Sequence, residues 1–490
     1  MKNLLIIALI LITLSAGAQK KTNVILFLVD DLGYYDLSKT GSKLYETPNI
    51  DRLADNGMMF TNAYSSHPRC VPSRYGIQTG KYPATSQVPG GRGGALKPND
   101  KTIGMAFQEA GYKTFFAGKW HLGDNADMWP QNRGYDINIA GCSAGAPISY
   151  FYPYNTPQKG DNTTKKHRAI AGLEEGTEGE YLTDRLTEET VKFIKENKDT
   201  PFFATLAHYG VHTPFQAKKE MIKKYRQKLA RLTFEGPAYI TRDGTTKMFQ
   251  DNVVYAAMIE SVDESLGKLI AALKEAGIYE NTAIIFTSDH GGLSNRGVNS
   301  NRKLATSNLP LRAGKGHLYE GGTKVPFIVY WNGKIKAGTI SDQVTSNVDI
   351  YPTLLAIAGI ENTNKEIDGK SILPVLEGGE TFDRTLFWHS PKGRPTKTGD
   401  RNASAVRVGD YKLLDFYDDH RLELYNLKED PSEAFNLAEK EPAKADEMLK
   451  LLNDWKKSIN AFIDPDPYKK LKKKKNKGGA QGAKNKKVQH

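Results

Sequence analysis

Apolar residues run almost unbroken from Asn23 to Val29 before the chain meets Asp30-Asp31-Leu32-Gly33. A segment that is apolar on both faces is what a strand inside a parallel sheet requires, because helices cover both of its sides. Similar runs recur at Phe202–Leu206, Ala283–Thr287 and Pro326–Tyr330. Between them, apolar positions fall at helical spacing over Pro48–Asn56, Ile103–Ala110, Leu182–Asn197 and Val253–Ala276. This alternation predicts an α/β fold, a large mostly parallel sheet sandwiched by helices. After Pro374 the pattern changes. Leu386–His389, Ala405–Val408, Tyr411–Leu414 and Glu423–Asn426 read as short strands with turn residues between them, and helical periodicity follows from Ala443 to Ile459. A smaller C-terminal subdomain of antiparallel sheet plus helix is therefore expected, beginning near Phe382.

The two ends of the chain differ from its body. Met1-Lys2-Asn3, the apolar run Leu4–Leu14 and Ser15-Ala16-Gly17-Ala18 read as a signal peptide over 1–18. The run is too short to span a bilayer, so the expectation is an exported protein, periplasmic or secreted, without membrane insertion. The formal net charge of +12 would suit a nucleic-acid binder until it is located: residues 469–490 hold ten Lys and no acid, which leaves +2 on the rest. That tail has no apolar periodicity and is expected to be disordered and solvated, or to meet polyanions, and no nucleic-acid partner is expected. The 490 residues with 39% hydrophobic and 25% charged composition are otherwise globular. They divide into 19–381, 382–468 and the tail 469–490.

Candidate chemistry sits where the apolar runs end. Open α/β sheets place ligands beyond the carboxyl ends of their strands. Asp30-Asp31 follows one run, and Asp289-His290 with Gly291-Gly292 follows another. Two such pairs at one sheet edge would make an oxygen-rich site for a divalent cation such as Ca²⁺. The imidazole of His290 suits softer metals better and is the least regular of these ligands. Gly118-Lys119-Trp120-His121-Leu122-Gly123 follows the strand-like Thr114–Ala117; in an extended chain Lys119 and His121 point the same way, a cation and an acid/base group on one face. His208 and His212-Thr213-Pro214 follow the Phe202–Leu206 run. Gly314-Lys315-Gly316-His317 opens a Gly-rich loop that lacks the Lys-Ser/Thr step of a nucleotide-phosphate loop. The aromatic stretch Tyr150–Tyr154 fits either sugar stacking or the core.

The remaining motif is Cys70-Val71-Pro72-Ser73-Arg74. Only Cys142 accompanies Cys70, so no metal or redox pair is close in sequence. Either the two form a disulfide, which export would permit, or Cys70 is a nucleophile at an anion site beside Arg74. Cys-x-Pro-Ser-Arg followed by Thr79-Gly80 and Pro83 resembles the signature of the type I, formylglycine-dependent sulfatases of the alkaline phosphatase-like superfamily. The chain looks like an exported bacterial polysaccharide sulfatase. The resemblance implies that a formylglycine-generating maturation enzyme converts Cys70 and that 19–381 is the catalytic domain. It also implies that Asp30, Asp31, Asp289 and His290 bind Ca²⁺ with the modified Cys70 touching the ion, although many members carry Asn where this chain has His290. Arg74, Lys119 and Lys315 would neutralise the ester oxygens, His121 would act on the formylglycine hydroxyl, and His212 would protonate the leaving oxygen. His208 and His317 are left as substrate-binding candidates, and the implied substrate is a sulfated carbohydrate. A phosphodiesterase or phosphonate hydrolase of the same superfamily, or a silent sulfated-glycan binder with Cys70 unconverted, are the alternatives.

Overall fold

Strand β1 (Asn23–Val29) lies inside an eight-stranded sheet, every residue buried, as its unbroken apolar run requires. The computed structural model describes residues 21–86, 95–156 and 169–462; the expected signal peptide and Lys-rich tail lie outside the described residues. The sheet order is β12 (Thr339–Ser341), β2 (Met58–Phe60), β11 (Phe327–Trp331), β9 (Thr282–Ser288), β1, β6 (Phe202–Ala207), β4 (Lys113–Gly118) and β5 (Ile137–Ile139). Pairing is parallel except at β11, which runs antiparallel to both β9 and β2. Strand β1 pairs on either side with β9 and β6, which lie far away in sequence.

Successive side chains of β1 enter different layers. Ile25, Phe27 and Val29 pack against α1 (Pro48–Asn56), α4 (Leu182–Glu196), α5 (Lys219–Leu229) and α6 (Val253–Glu275). Val24, Leu26 and Leu28 meet α2 (Cys70–Thr79), α3 (Ile103–Glu109), α8 (Ile350–Ile357) and α9 (Leu373–Leu376). A single-turn helix α7 (Glu320–Thr323) closes the loop before β11. Two small sheets complete this part, one joining β3 (Ala63–Tyr64) to β13 (Thr345–Ser346), the other β7 (Tyr239–Thr241), β8 (Thr245–Lys247) and β10 (Asn295–Arg296).

The C-terminal sheet is antiparallel, in the order β14 (Leu386–Ser390), β15 (Ala403–Val408), β16 (Tyr411–Phe416), β17 (Leu422–Asn426). One face carries α10 (Pro442–Ser458) over Val406, Leu413 and Leu424. The other face does not meet solvent. Trp388, Ala405 and Leu414 pack on Tyr64, Leu318 and Tyr319, and buried Lys412 donates to Glu320 at 2.9 Å and forms an ion pair with Glu433 at 3.1 Å. The sheet is thereby fixed to the loops around α7, which brings residues 390–400 to the ligand edge of the large sheet.

Buried Asp263 of α6 accepts from the Asn49 and Ile50 amides of α1 at 2.9 and 2.8 Å, supplying from another helix the partner that first-turn N–H groups lack. Asp263→Ala is expected to cost about 1–3 kcal/mol, read from denaturant midpoints. Burial, against those hydrogen bonds, raises the Asp263 pKa to about 6 from 3.8. A raised carboxyl contributes most below its unfolded value and loses that contribution as pH rises through the folded one. The gap between wild type and Asp263→Ala should therefore narrow from pH 3.8 to about 6. A gap that widens over that window would contradict the assignment.

Candidate active site

Because β1, β9, β6 and β4 run parallel, their carboxyl ends share one edge, and that edge collects the predicted side chains. At the end of β1, Asp31 turns the chain with a φ of 64°, a conformation Asp tolerates better than most residues. Its amide donates to Asp289 Oδ1 at 3.2 Å, and the Leu32 amide donates to Ser288 Oγ at 3.1 Å, which ties the ends of β1 and β9 together. The chain after β4 is not extended as expected. Gly118 has a φ of 102°, and a Cβ there would lie 1.9 Å from the Ala207 carbonyl, so only glycine can turn here. His121 also takes a positive φ of 61°. Lys119 and His121 nonetheless reach the same place: Lys119 Nζ donates to Asp30 Oδ2 at 2.5 Å, and the His121 ring engages the Cys70 thiol.

Cys70 is the first residue of α2, and the residues after it serve its placement. Ser73 Oγ donates to the Asp289 carbonyl and accepts from Asn347 Nδ2 at 3.0 Å. Arg74 Nε donates to Asp289 Oδ2 at 3.0 Å and its Nη1 to the Lys119 carbonyl at 2.6 Å. Thr79 bonds back to the Tyr75 carbonyl, and Gly80, with φ 68°, ends the helix. The signature thus locks one helix onto two strand ends.

Around Cys70 Sγ stand His290 Nε2 at 3.2 Å, Lys315 Nζ at 3.5 Å and Asp31 Oδ1 at 4.0 Å. Burial works against the thiolate, but Lys119, Lys315 and His290 outweigh it and hold the Cys70 pKa well below its usual range. Burial likewise opposes ionised Asp31, yet Lys315, His212 and His290 keep its carboxyl below the usual carboxylate range. Asp30 goes the other way, raised chiefly by burial although Lys119 pulls against it. Burial lowers His121 to about 4 and, with Lys315, lowers His212 to about 3, so both rings are neutral in this arrangement.

The donor set fits a cation. One ligand atom each from Asp30, Cys70, Asp289 and His290 lies within 4.8 Å of the others, and so does one each from Asp30, Asp31, Cys70 and His212. Asp30 Oδ1 is buried and accepts no hydrogen bond; its neighbour Arg74 Nη2 stands off at 3.6 Å. An unpartnered buried carboxylate oxygen is costly unless a cation meets it. His290 Nδ1 lies 3.0 Å from the Gly291 carbonyl, which can only accept. The Nδ1 proton is therefore fixed, and Nε2 faces Asp31 at 3.3 Å and Asp289 at 3.6 Å.

The family described as Sulfatase matches residues 22–360, well over half of the chain. The chain belongs to the sulfatase family. It is accordingly a sulfuric ester hydrolase of the alkaline phosphatase-like superfamily. A second family, described as N-sulphoglucosamine sulphohydrolase, C-terminal, matches residues 313–460. A sulfatase of Formosa agariphila is 31% identical over 87% of this chain and 86% of its own. The N-acetylgalactosamine-6-sulfatase of Mus musculus is 29% identical over 84% and 75%. The solved structure of Ps i-CgsB in complex with k-i-k-neocarrahexaose superposes with a TM-score of 0.72 at 31% identity, covering 89% of this chain and 93% of that one.

In this sulfatase a cavity of about 500 Å³ opens above Cys70, lined among others by His121, His212 and Lys315. Arg74 and Lys119, expected on the ester oxygens, do not line it; they stand behind the cluster, paired with Asp289 and Asp30. His208 is corrected from a substrate-binding candidate to a core residue. It continues the pleat of β6 toward α6, shares a hydrogen with Ser265 Oγ at 2.9 Å and packs on Phe27. His317 is corrected as well: its Nε2 meets the Thr398 carbonyl at 2.9 Å, so it braces the cavity wall from outside. Tyr150 and Tyr154 are buried in the core, and Tyr150 holds the His212 loop by donating to the Tyr209 and His212 carbonyls. Cys142 and Cys70 are both free, so of the two alternatives the disulfide falls.

Sequence reasoning missed His67, Arg69, Arg302, Lys392 and Arg394, all of which line the cavity. His67 and Arg69 directly precede Cys70 and were open to notice; the other three arrive on distant loops. It also missed Gly145, where a Cβ would come within 2.4 Å of the His121 ring.

Proposed function

We propose that this sulfatase removes sulfate from a sulfated polysaccharide or its oligosaccharides outside the cytoplasm, using formylglycine made from Cys70 together with Ca²⁺. The observation that carries the reading is the position of Cys70, at the floor of an open cavity and in contact with the carboxylate cluster, Lys315 and His290. The carbohydrate reading is supported by relatives named for N-acetylgalactosamine 6-sulfate and by the structure solved with neocarrahexaose. The same reading assigns 1–18 to export, 19–381 to catalysis, 382–468 to the wall-forming subdomain and 469–490 to a solvated tail, with a formylglycine-generating enzyme as the maturation partner.

A formylglycine hydrate would supply the attacking oxygen, and a divalent ion held by Asp30, Asp31, Asp289 and His290 would lower the charge of its surroundings. The chain's own groups do the rest. Lys315 meets the sulfate oxygens from the cavity side, while Arg74 and Lys119 orient the carboxylates. His121, neutral and already on the residue 70 side chain, accepts its proton. His212 delivers a proton to the leaving oxygen; the negative charge of a bound ester opposes the burial and Lys315 effects that keep this ring neutral in the free protein.

Replacing each His separates the two roles. A sugar alkoxide leaves poorly without a proton, so His212→Ala should cost roughly 10²–10⁴-fold on a sugar sulfate and far less on an aryl sulfate with an acidic phenol. His121→Ala should slow both alike. The reverse pattern would exchange the two assignments. Sulfate release across defined sulfated oligosaccharides, with phosphate diesters and phosphonate esters assayed on the same preparation, tests the activity itself; faster turnover of the phosphorus esters would overturn it.

A further inference from the structure

The cavity carries more positive charge than one sulfate ester uses. Arg69, Arg302, Lys315, Lys392 and Arg394 line it, and no Asp or Glu does among the described residues. Three of these cations are engaged: Lys315 with Asp31, Arg69 with Asp400 and the Lys392 carbonyl, and Lys392 with the Phe462 ring at 5.7 Å. The guanidinium groups of Arg302 and Arg394 make no hydrogen bond or ion pair with described residues. Both nonetheless stand on anchored backbone. The Arg302 carbonyl accepts from Arg296 Nη1 at 3.0 Å; the Arg394 amide donates to Asp400 Oδ2 at 3.1 Å, and its carbonyl accepts from three successive amides, those of Lys397, Thr398 and Gly399.

Each of the two lies in the other's field. Burial lowers the pKa of half-buried Arg302, Asp31 and Cys70 oppose that, and Arg394 adds to the lowering. Half-buried Arg302 and exposed Arg394 line one cavity, and an oxyanion between the two guanidinium groups relieves their mutual repulsion. The planar fork of each group matches a carboxylate or sulfate with paired hydrogen bonds. Lys315 marks where the reacting ester lies, against Cys70, so an anion at Arg302 and Arg394 belongs to another part of the substrate.

We propose that Arg302 and Arg394 receive a second anionic group, a sulfate or a carboxylate on the sugar beside the one that loses its sulfate, so that this sulfatase selects multiply charged glycans. The inference rests on the carbohydrate reading above. It deepens that reading by naming the substrate as at least dianionic and by giving the C-terminal loop around Arg394 a part in selecting it.

Three matched disaccharides test it, built on whichever sugar releases sulfate fastest in the oligosaccharide panel. One carries a single sulfate, one a second sulfate on the neighbouring sugar, and one a uronate carboxylate there. The wild type should show kcat/KM about tenfold or more higher on at least one dianionic member, the worth of a charge-assisted hydrogen bond, with the gain in KM. Which member gains identifies the anion. Arg394→Gln, at an exposed position where folding is not at stake, and Arg302→Gln should each bring the dianionic-to-monoanionic ratio down toward one, and Arg302→Lys should restore part of it. A wild-type ratio of one, or an equal fall on all three disaccharides in the variants, would overturn the inference while leaving the sulfatase reading intact. No sulfate release from any member of the oligosaccharide panel would overturn the carbohydrate reading and this inference with it.

Discussion

Cys70→Ala is expected to abolish sulfate release, by about 10⁴-fold or more, the scale on which enzymes lose turnover with their nucleophile. The variant removes a group that contacts the carboxylate cluster, Lys315 and the open cavity together. Cys70→Ser adds a sharper outcome. Its hydroxyl can be sulfated once but cannot collapse to an aldehyde, so it should give at most a single stoichiometric turnover and a peptide bearing sulfate. In wild-type protein made alongside a maturing enzyme, mass spectrometry of the peptide containing residue 70 should show loss of the thiol. Full activity with an intact thiol would exclude formylglycine here. Retained binding of sulfated oligosaccharide by Cys70→Ala would separate recognition from chemistry, whereas a silent binder would carry an unconverted Cys70 and show no turnover to lose.

Asp289→Asn should be nearly as damaging. Asp289 offers a ligand atom to the cluster and also pairs with Arg74 at 3.0 Å. The amide keeps the volume and removes the charge, which avoids the cavity an alanine would leave. A metal's stabilisation of a transition state is worth several kcal/mol, so turnover should fall by about 10³-fold. Elemental analysis should find stoichiometric divalent metal in wild type and little in the variant. Because a ligand that binds only the folded state raises stability, a chelator should lower the wild-type Tm and leave the Asp289→Asn Tm in place. Active wild-type protein without a divalent ion would refute the cluster as a metal site.

The central strands of the large sheet were legible because burial on both faces leaves an unmistakable apolar run: β1 spans the residues that its pattern marked, and β6, β9 and β11 differ from their runs by one residue or so at the ends, whereas the short strands β2, β5 and β12 were not read. Direction was not legible. Nothing in Pro326–Tyr330 says that β11 runs antiparallel, since a strand buried on both faces looks the same in either sense. The site motifs were readable for a related reason. All but the Lys315 loop follow a strand or open a helix, so local sequence sets both their chemistry and their place at the carboxyl edge of the sheet. Asp30, Asp31, Asp289, His290 and Cys70 come together as that logic requires, and Lys315 joins them from the loop before α7.

Which way a side chain faces at that edge was decided only by the tertiary structure. His208 and His212 lie four residues apart after the same strand, yet one continues the pleat into the core beneath α6 and the other turns into the cavity. Lys119 and Arg74 carry the right charge but are drawn behind the cluster by Asp30 and Asp289, because a buried cation takes the nearest carboxylate. The cavity wall is the extreme case. Arg302, Lys392 and Arg394 have no motif around them; Arg302 arrives on the loop after β10, and Lys392 and Arg394 arrive because the C-terminal sheet packs Trp388, Ala405 and Leu414 on the loops around Tyr64 and Tyr319. The sequence by itself determined the reaction chemistry, which needs a few residue types at strand ends. What surrounds the substrate depended on the packing of two units, a long-range choice that no local pattern records.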